Sequence, residues 1–165
     1  MPQFKSLAPC LWFDTQAEDA AKFYCRIFPN SKITNTSYYS DAGKEVHGKS
    51  SGTVMTVVFK LDGHPFTALN GGPHFKFTEA VSFQIDCETQ ADIDYFWDKL
   101  GESGPDKAKR CGWLKDKFGV SWQVTPTMLP GVMTGSDTAG RERAMKALLQ
   151  MKKLDIAKLQ EAYNG

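Results

Sequence analysis

Residues 80–100 read AVSFQIDCETQADIDYFWDKL, and their order decides the fold. Ala80 to Asp86 alternates apolar and polar side chains, the period of a strand with one buried face. Thr89 to Leu100 then places Ile93, Phe96, Trp97 and Leu100 at helical spacing. The same order stands once before. Leu7 to Phe13 is a short apolar strand, and Ala17 to Phe28 a helix carrying Ala20, Ala21, Phe23, Tyr24, Ile27 and Phe28. Asp14 or Thr15 is placed to cap that helix, and Pro29-Asn30-Ser31 ends it.

Strands follow each helix. In the first half they are Lys32 to Tyr39, then Thr53 to Leu61 and Pro65 to Asn70 joined by the hairpin signal Asp62-Gly63, with a polar loop at Asp41 to Gly52. In the second half they are Lys109 to Lys115 and Val120 to Thr125, around the turn Asp116 to Gly119. Pro126 to Met133 reads as an irregular exit. A helical tail follows from Ser136-Asp137-Thr138, with Arg141 to Lys152 and Leu154 to Tyr163 rich in helix formers. The expected class is α+β: one domain over 1–165, with half-modules at about 1–73 and 78–134 and a helical extension at 135–165. A half alone leaves one sheet face bare, so the two sheets are expected to share an interior.

Composition narrows the function classes. The chain has 165 residues, 41% of them hydrophobic, and 20 Lys and Arg against 19 Asp and Glu. That balance argues against a nucleic-acid or membrane-surface partner. The basic cluster Lys107 to Arg110 reads as a solvated loop or strand edge. The first residues carry no long apolar run, and Cys10, Cys25, Cys87 and Cys111 lack any C-x-x-C pairing. A cytoplasmic protein with free thiols is the expectation.

Several blocks together resemble one family: Leu11-Trp12-Phe13-Asp14 running into the first helix, Ala68-Leu69-Asn70-Gly71-Gly72-Pro73, Val81 to Glu88, Cys111 to Gln123 (CGWLKDKFGVSWQ), and the tail from Arg143. They resemble the PhnB-like, demethylubiquinone methyltransferase-like branch of the vicinal oxygen chelate superfamily, also called glyoxalase-like. The resemblance implies paired βαβββ modules whose curled, antiparallel-rich sheets enclose a central cavity, and usually a homodimer. Metal-dependent members hold a divalent ion with His and carboxylate ligands. Aligned here, those positions fall on Pro9, Asn70, Ala80 and Gln123. Two have no donor atom and two offer a neutral carbonyl, which is a poor set for catalytic zinc. His47, His64 and His74 sit at turns without metal-like spacing. No metal and no other cofactor is expected. The one Gly-rich turn, Asn70 to Pro73, opens no helix, so S-adenosylmethionine lacks its usual loop and the methyltransferase label has no motif behind it.

Strand parity sketches the lining. If Pro9 faces the cavity, so do Leu11 and Phe13, while Cys10 and Trp12 lie under helices. Phe66, Ala68 and Asn70 then face in, as do Ala80, Ser82, Gln84, Ser121, Gln123 and Thr125. Either Cys111 and Trp113 or Gly112 and Leu114 face in from the adjacent strand. The first pair is preferred, because a Trp beside Asn and Gln makes an aromatic wall. The expected ligand site is therefore Phe13, Asn70, Ser82, Gln84, Cys111, Trp113 and Gln123, suited to a small, largely neutral or aromatic molecule. Hydrogen-bonded core polars are the competing reading of the same residues. Cys111, beside Lys109 and Arg110, is the one candidate nucleophile, with an inert thiol preferred. The alternative to a binding protein is an enzyme, a lyase, transferase or isomerase acting through Cys111 or through an atypically held metal. A homodimer built by the tail is a further possibility.

Overall fold

The computed structural model describes residues 2–165. The chain divides into two compact units, Met1–Lys76 and Phe77–Gly165. In the first, β1 (Cys10–Phe13), α1 (Ala17–Ile27), β2 (Lys32–Tyr38), a helical turn α2 (Lys44–His47), β3 (Val54–Leu61) and β4 (His64–Asn70) follow in order. The sheet order is β1-β4-β3-β2, with β1 parallel to β4 and the other pairs antiparallel. Asp62 and Gly63, both at positive φ, close the β3–β4 hairpin, as a two-residue turn of this kind requires. α2 interrupts the loop expected over 41–52, held between Gly43 and Gly48 in the left-handed region.

The core of this unit lies between α1 and one face of its sheet. Ala17, Ala20, Ala21, Tyr24 and Ile27 of α1 are buried, together with Leu11, Phe13, Val57, Phe59, Leu61, Phe66 and Ala68. Tyr24 stacks on Phe59 at 6.2 Å, and Phe59 on Phe66 at 5.3 Å.

The second unit repeats the layout with β5 (Phe83–Cys87), α3 (Gln90–Gly101), β6 (Trp113–Lys115) and β7 (Ser121–Pro126). Its order is β5-β7-β6, again with a parallel outer pair and an antiparallel hairpin. No strand here matches β2; a 3-10 turn at Asp106–Ala108 stands between α3 and β6. α3 starts at a capping box: the Thr89 hydroxyl accepts the Asp92 N–H, and the Asp92 carboxylate accepts the Thr89 N–H. Ile93, Trp97 and Leu100 bury its inner face.

Two expectations change here. The strand expected over 109–115 is confined to 113–115, because Cys111 and Gly112 both have positive φ and form the tight turn of Arg110 to Trp113. The exit after β7 forms a short helix, α4 (Leu129–Thr134), with Pro130 in its first turn. The tail is two helices, α5 (Thr138–Leu149) and α6 (Ile156–Asn164), packed together. Among the described residues, no helix is long and apolar enough to cross a membrane.

Candidate functional site

β7 and its hairpin position the polar face of the second unit. Asp116, only 1% exposed, organises the turn from β6. Its Oδ1 accepts the N–H groups of Phe118 and Val120 at 2.8 and 3.0 Å, and its Oδ2 accepts the Trp122 indole N–H at 2.8 Å. Trp122 stands on the buried side beside Phe83, at 5.3 Å. Alternation then places Ser121, Gln123 and Thr125 on the other face. Cross-strand register puts Gln84 and Trp113 opposite Gln123, and Lys115 opposite Ser121.

Four expected site residues therefore share one face: Ser82, Gln84, Trp113 and Gln123. Gln123 Nε2 donates to Ser82 Oγ at 2.9 Å, and Gln84 Nε2 donates to Asp86 Oδ1 at 2.7 Å. Cys111 sits half-buried at the turn below Trp113. Its N–H and that of Gly112 donate to the carbonyls of Met151 and Lys152 at 2.8 Å, so the tail fixes the turn. A Cβ on Gly112 would press on Leu154 and on the Val124 carbonyl at 3.0 Å.

An open cavity of about 460 Å³ lies at this turn, with Cys111, Trp113, Leu114 and Ser121 in its wall. Its rim carries Lys107, Arg110 and Lys115, with Glu79 as the counter-charge. Glu79 pairs with Lys115, whose ammonium holds the carboxyl below the ordinary range. Ser121 is 3% exposed and its hydroxyl has no hydrogen-bond partner among the described residues. Such a group costs about 1–3 kcal/mol when left unsatisfied. The cations were the part of this site that sequence reading passed over. Their signal was a run of Lys and Arg leading directly into a Cys-Gly turn.

Phe13 and Asn70 are not part of this site; they face α1. Asn70 is 7% exposed, its Oδ1 accepts the Ala17 N–H at 2.8 Å, and its Nδ2 donates to the Val54 carbonyl at 3.0 Å. It caps α1 from β4, which explains why Gln16, at the cap position, makes no side-chain bond of its own. Phe13 lies opposite Asn70 in the register and is buried with it. The parity expected for the first half is thus inverted, and Trp12 lies on the opposite face from α1. The inversion follows from anchoring β1 through the loop to α1, where a difference of one residue exchanges the two faces. Trp12 instead covers Gly71, where a Cβ would overlap the indole, and donates to the Gly72 carbonyl at 2.8 Å. The Gly-rich segment after β4 serves this packing.

The positions aligned with metal ligands do not fit an ion. Pro9 and Ala80 carry no donor, the Asn70 carbonyl caps α1, and Gln123 adds only one neutral amide oxygen, its Nε2 donating to Ser82. Among the described residues, no three His, Cys, Asp or Glu side chains cluster for a metal.

Comparison with known proteins places this architecture. The sequence model of the 3-demethylubiquinone-9 3-methyltransferase family matches residues 5–125. The chain belongs to this family. Among solved structures, this PhnB-like chain is similar to the PhnB protein from Bacillus cereus, which bears the same methyltransferase description. The two are 34% identical over 74% of this chain and 100% of that one, with a TM-score of 0.62. Protein PA1353 from Pseudomonas aeruginosa shares the fold at 17% identity, over 74% of this chain and 98% of that one, with a TM-score of 0.57. No curated protein matches the sequence significantly. The family match ends at residue 125, so the tail that holds the Cys111–Gly112 turn lies beyond it.

Proposed function

We propose that this PhnB-like chain binds a small organic molecule with an aromatic or flat apolar body, without a metal, in the second-unit cavity beside Trp113. The observation that carries the reading is the buried Ser121 hydroxyl, without a partner in the wall of a cavity that also presents the Trp113 ring. A volume near 460 Å³ is in the range that holds small ligands. Trp113 supplies a face for a flat ring, and Ser121 a group that fixes orientation. Methyl transfer gains no support from the chain's Gly-rich segment, whose glycines pack against Trp12.

Cys111 makes the reading testable, because it lines the same cavity. With a saturating flat aromatic probe such as 2-naphthamide or 2-naphthoate, iodoacetamide should label Cys111 several-fold more slowly while Cys10 reacts unchanged. Unchanged labelling at Cys111 with both probes would count against the site. Catalysis through Cys111 is the second reading, motivated by the same placement of the one thiol in the lining. Cys111→Ser should leave probe binding intact on the binding reading.

The quaternary state belongs to the same proposal. A homodimer is supported by family resemblance and by large exposed apolar side chains such as Tyr38, Val46 and Phe75. Sedimentation velocity at micromolar concentration should give a dimer; a monomer would remove that part.

A further inference from the structure

We infer that the molecule taken by this cavity carries an anionic oxyacid head, a carboxylate or a phosphate ester, which seats between Lys107, Arg110 and the Ser121 hydroxyl. The inference rests on the proposed binding site and names its ligand class. The charge of the rim carries it first. Three cations border the cavity, and one carboxylate, Glu79, faces them. That carboxylate pairs with Lys115 and feels Lys107 only more weakly, so the uncompensated positive charge centres on Lys107 and Arg110. Neither has an ion-pair partner among the described residues. Their neighbours Lys109, Lys152 and Lys153, by contrast, are all paired with carboxylates.

The second observation is independent of charge. Ser121 is buried to 3% exposure, with an unpartnered hydroxyl in the cavity wall. A hydroxyl can donate to an oxyanion, and the guanidinium of Arg110 offers a fork suited to a carboxylate or phosphate. Lys115 and Ser121 are register partners, and Trp113 lies two residues along β6 on the same face. The polar end of the cavity is therefore continuous with an aromatic surface. An anion with a flat apolar body matches both ends. The neutral ligand expected from strand parity came from a lining that omitted Lys107, Arg110 and Lys115.

The turn geometry adds preorganisation. Arg110 and Trp113 exchange both backbone hydrogen bonds, at 2.9 and 2.8 Å, across Cys111 and Gly112. The tail carbonyls hold the two turn N–H groups. The base of the Arg110 side chain is thus fixed relative to the Trp113 ring before any ligand arrives, which lowers the ordering cost of binding.

Isothermal titration calorimetry with three probes of one shape separates the outcomes: 2-naphthoate, 2-naphthyl phosphate and the neutral 2-naphthamide. At least one anion should bind about tenfold or more tightly than the amide, as expected for charge-assisted bonds in place of neutral ones. Its affinity should fall as salt rises. The double variant Lys107→Gln, Arg110→Gln should lose that advantage, binding the anions no more tightly than it binds the amide. Ser121→Ala should weaken the anion in the same direction. Amide and anions binding equally tightly would overturn the inference and leave the cavity reading standing. Binding of none of the three would overturn the inference and count against the cavity reading as well. An anion that binds equally well to the double variant would also overturn it, since its site would then lie elsewhere.

Discussion

Asn70→Ala should destabilise the first unit, and the size of the effect tests whether Asn70 is a cap or a ligand-binding residue. The substitution removes the acceptor for the buried Ala17 N–H and the donor to the Val54 carbonyl. Loss of a helix cap costs about 0.5–2 kcal/mol, and an unsatisfied buried group about 1–3 kcal/mol. Together they predict a loss of about 2–4 kcal/mol. With a urea m-value of about 2 kcal/mol/M, the midpoint falls by about 1–2 M. Asn70→Asp keeps the acceptor at the N-terminus of α1, where negative charge is favourable, and loses only the bond to Val54. It should cost about half as much. Urea denaturation followed by circular dichroism gives the magnitudes, and amide exchange at Ala20 and Ala21 reports α1 itself. An Asn70→Ala protein within about 0.5 kcal/mol of wild type, an effect typical of plain surface substitutions, would refute the capping assignment.

Asp116→Ala removes three hydrogen bonds to a buried carboxylate and should cost about 3 kcal/mol or more by denaturant titration. A cost below about 1 kcal/mol would show that the turn does not depend on it. Gly112→Ala puts a side chain at φ 83° against Leu154 and the Val124 carbonyl, so it should destabilise the tail contact by about 1–3 kcal/mol and speed Cys111 alkylation. Burial, reinforced by Asp92 and Asp86, pushes the Cys87 thiol from 9.0 to about 11. The native state therefore holds that proton more tightly than the unfolded chain. The associated stability is fully present below about pH 9 and is lost as pH rises toward about 11. A pH series of urea midpoints should decline over that window in wild type and less in Cys87→Ala. The Lys153 ammonium beside Asp94 holds that carboxyl low, so its contribution is present at neutral pH and fades as pH falls through the carboxylate range. Lys153→Met should flatten the acid limb of the same curve.

The repeat of strand and helix was legible because periodicity reports it directly: of the expected stripe Ile93, Phe96, Trp97 and Leu100, all but the half-buried Phe96 are buried in α3. The face of β7 was legible for the same reason, since Trp122 and Val124 are both apolar and Ser121, Gln123 and Thr125 are not. The first half misled because both faces of β1 are apolar, with Leu11 and Phe13 alternating with Cys10 and Trp12. Composition then gave no vote, and a polar Asn70 stood as the marker of a cavity. Its polarity serves the Ala17 N–H, a partner 53 residues away that no local pattern announces. The extent of β6 was missed because Cys111 adopts positive φ, which a non-glycine residue seldom does. The rim of the site follows from that turn, so Lys107 and Arg110 read as a solvated cluster until the turn brought them to a cavity.

Ligand binding at the second-unit cavity is tested most directly by ¹⁵N–¹H correlation spectra of the protein titrated with 2-naphthoate. The sequence holds four tryptophans, so each indole N–H gives a separable signal. Shifts concentrated at Arg110 to Lys115, Ser121 and the Trp113 indole are the predicted result. Shifts confined to the first unit around Trp12 and Asn70, or no saturable shifts at all, would contradict it.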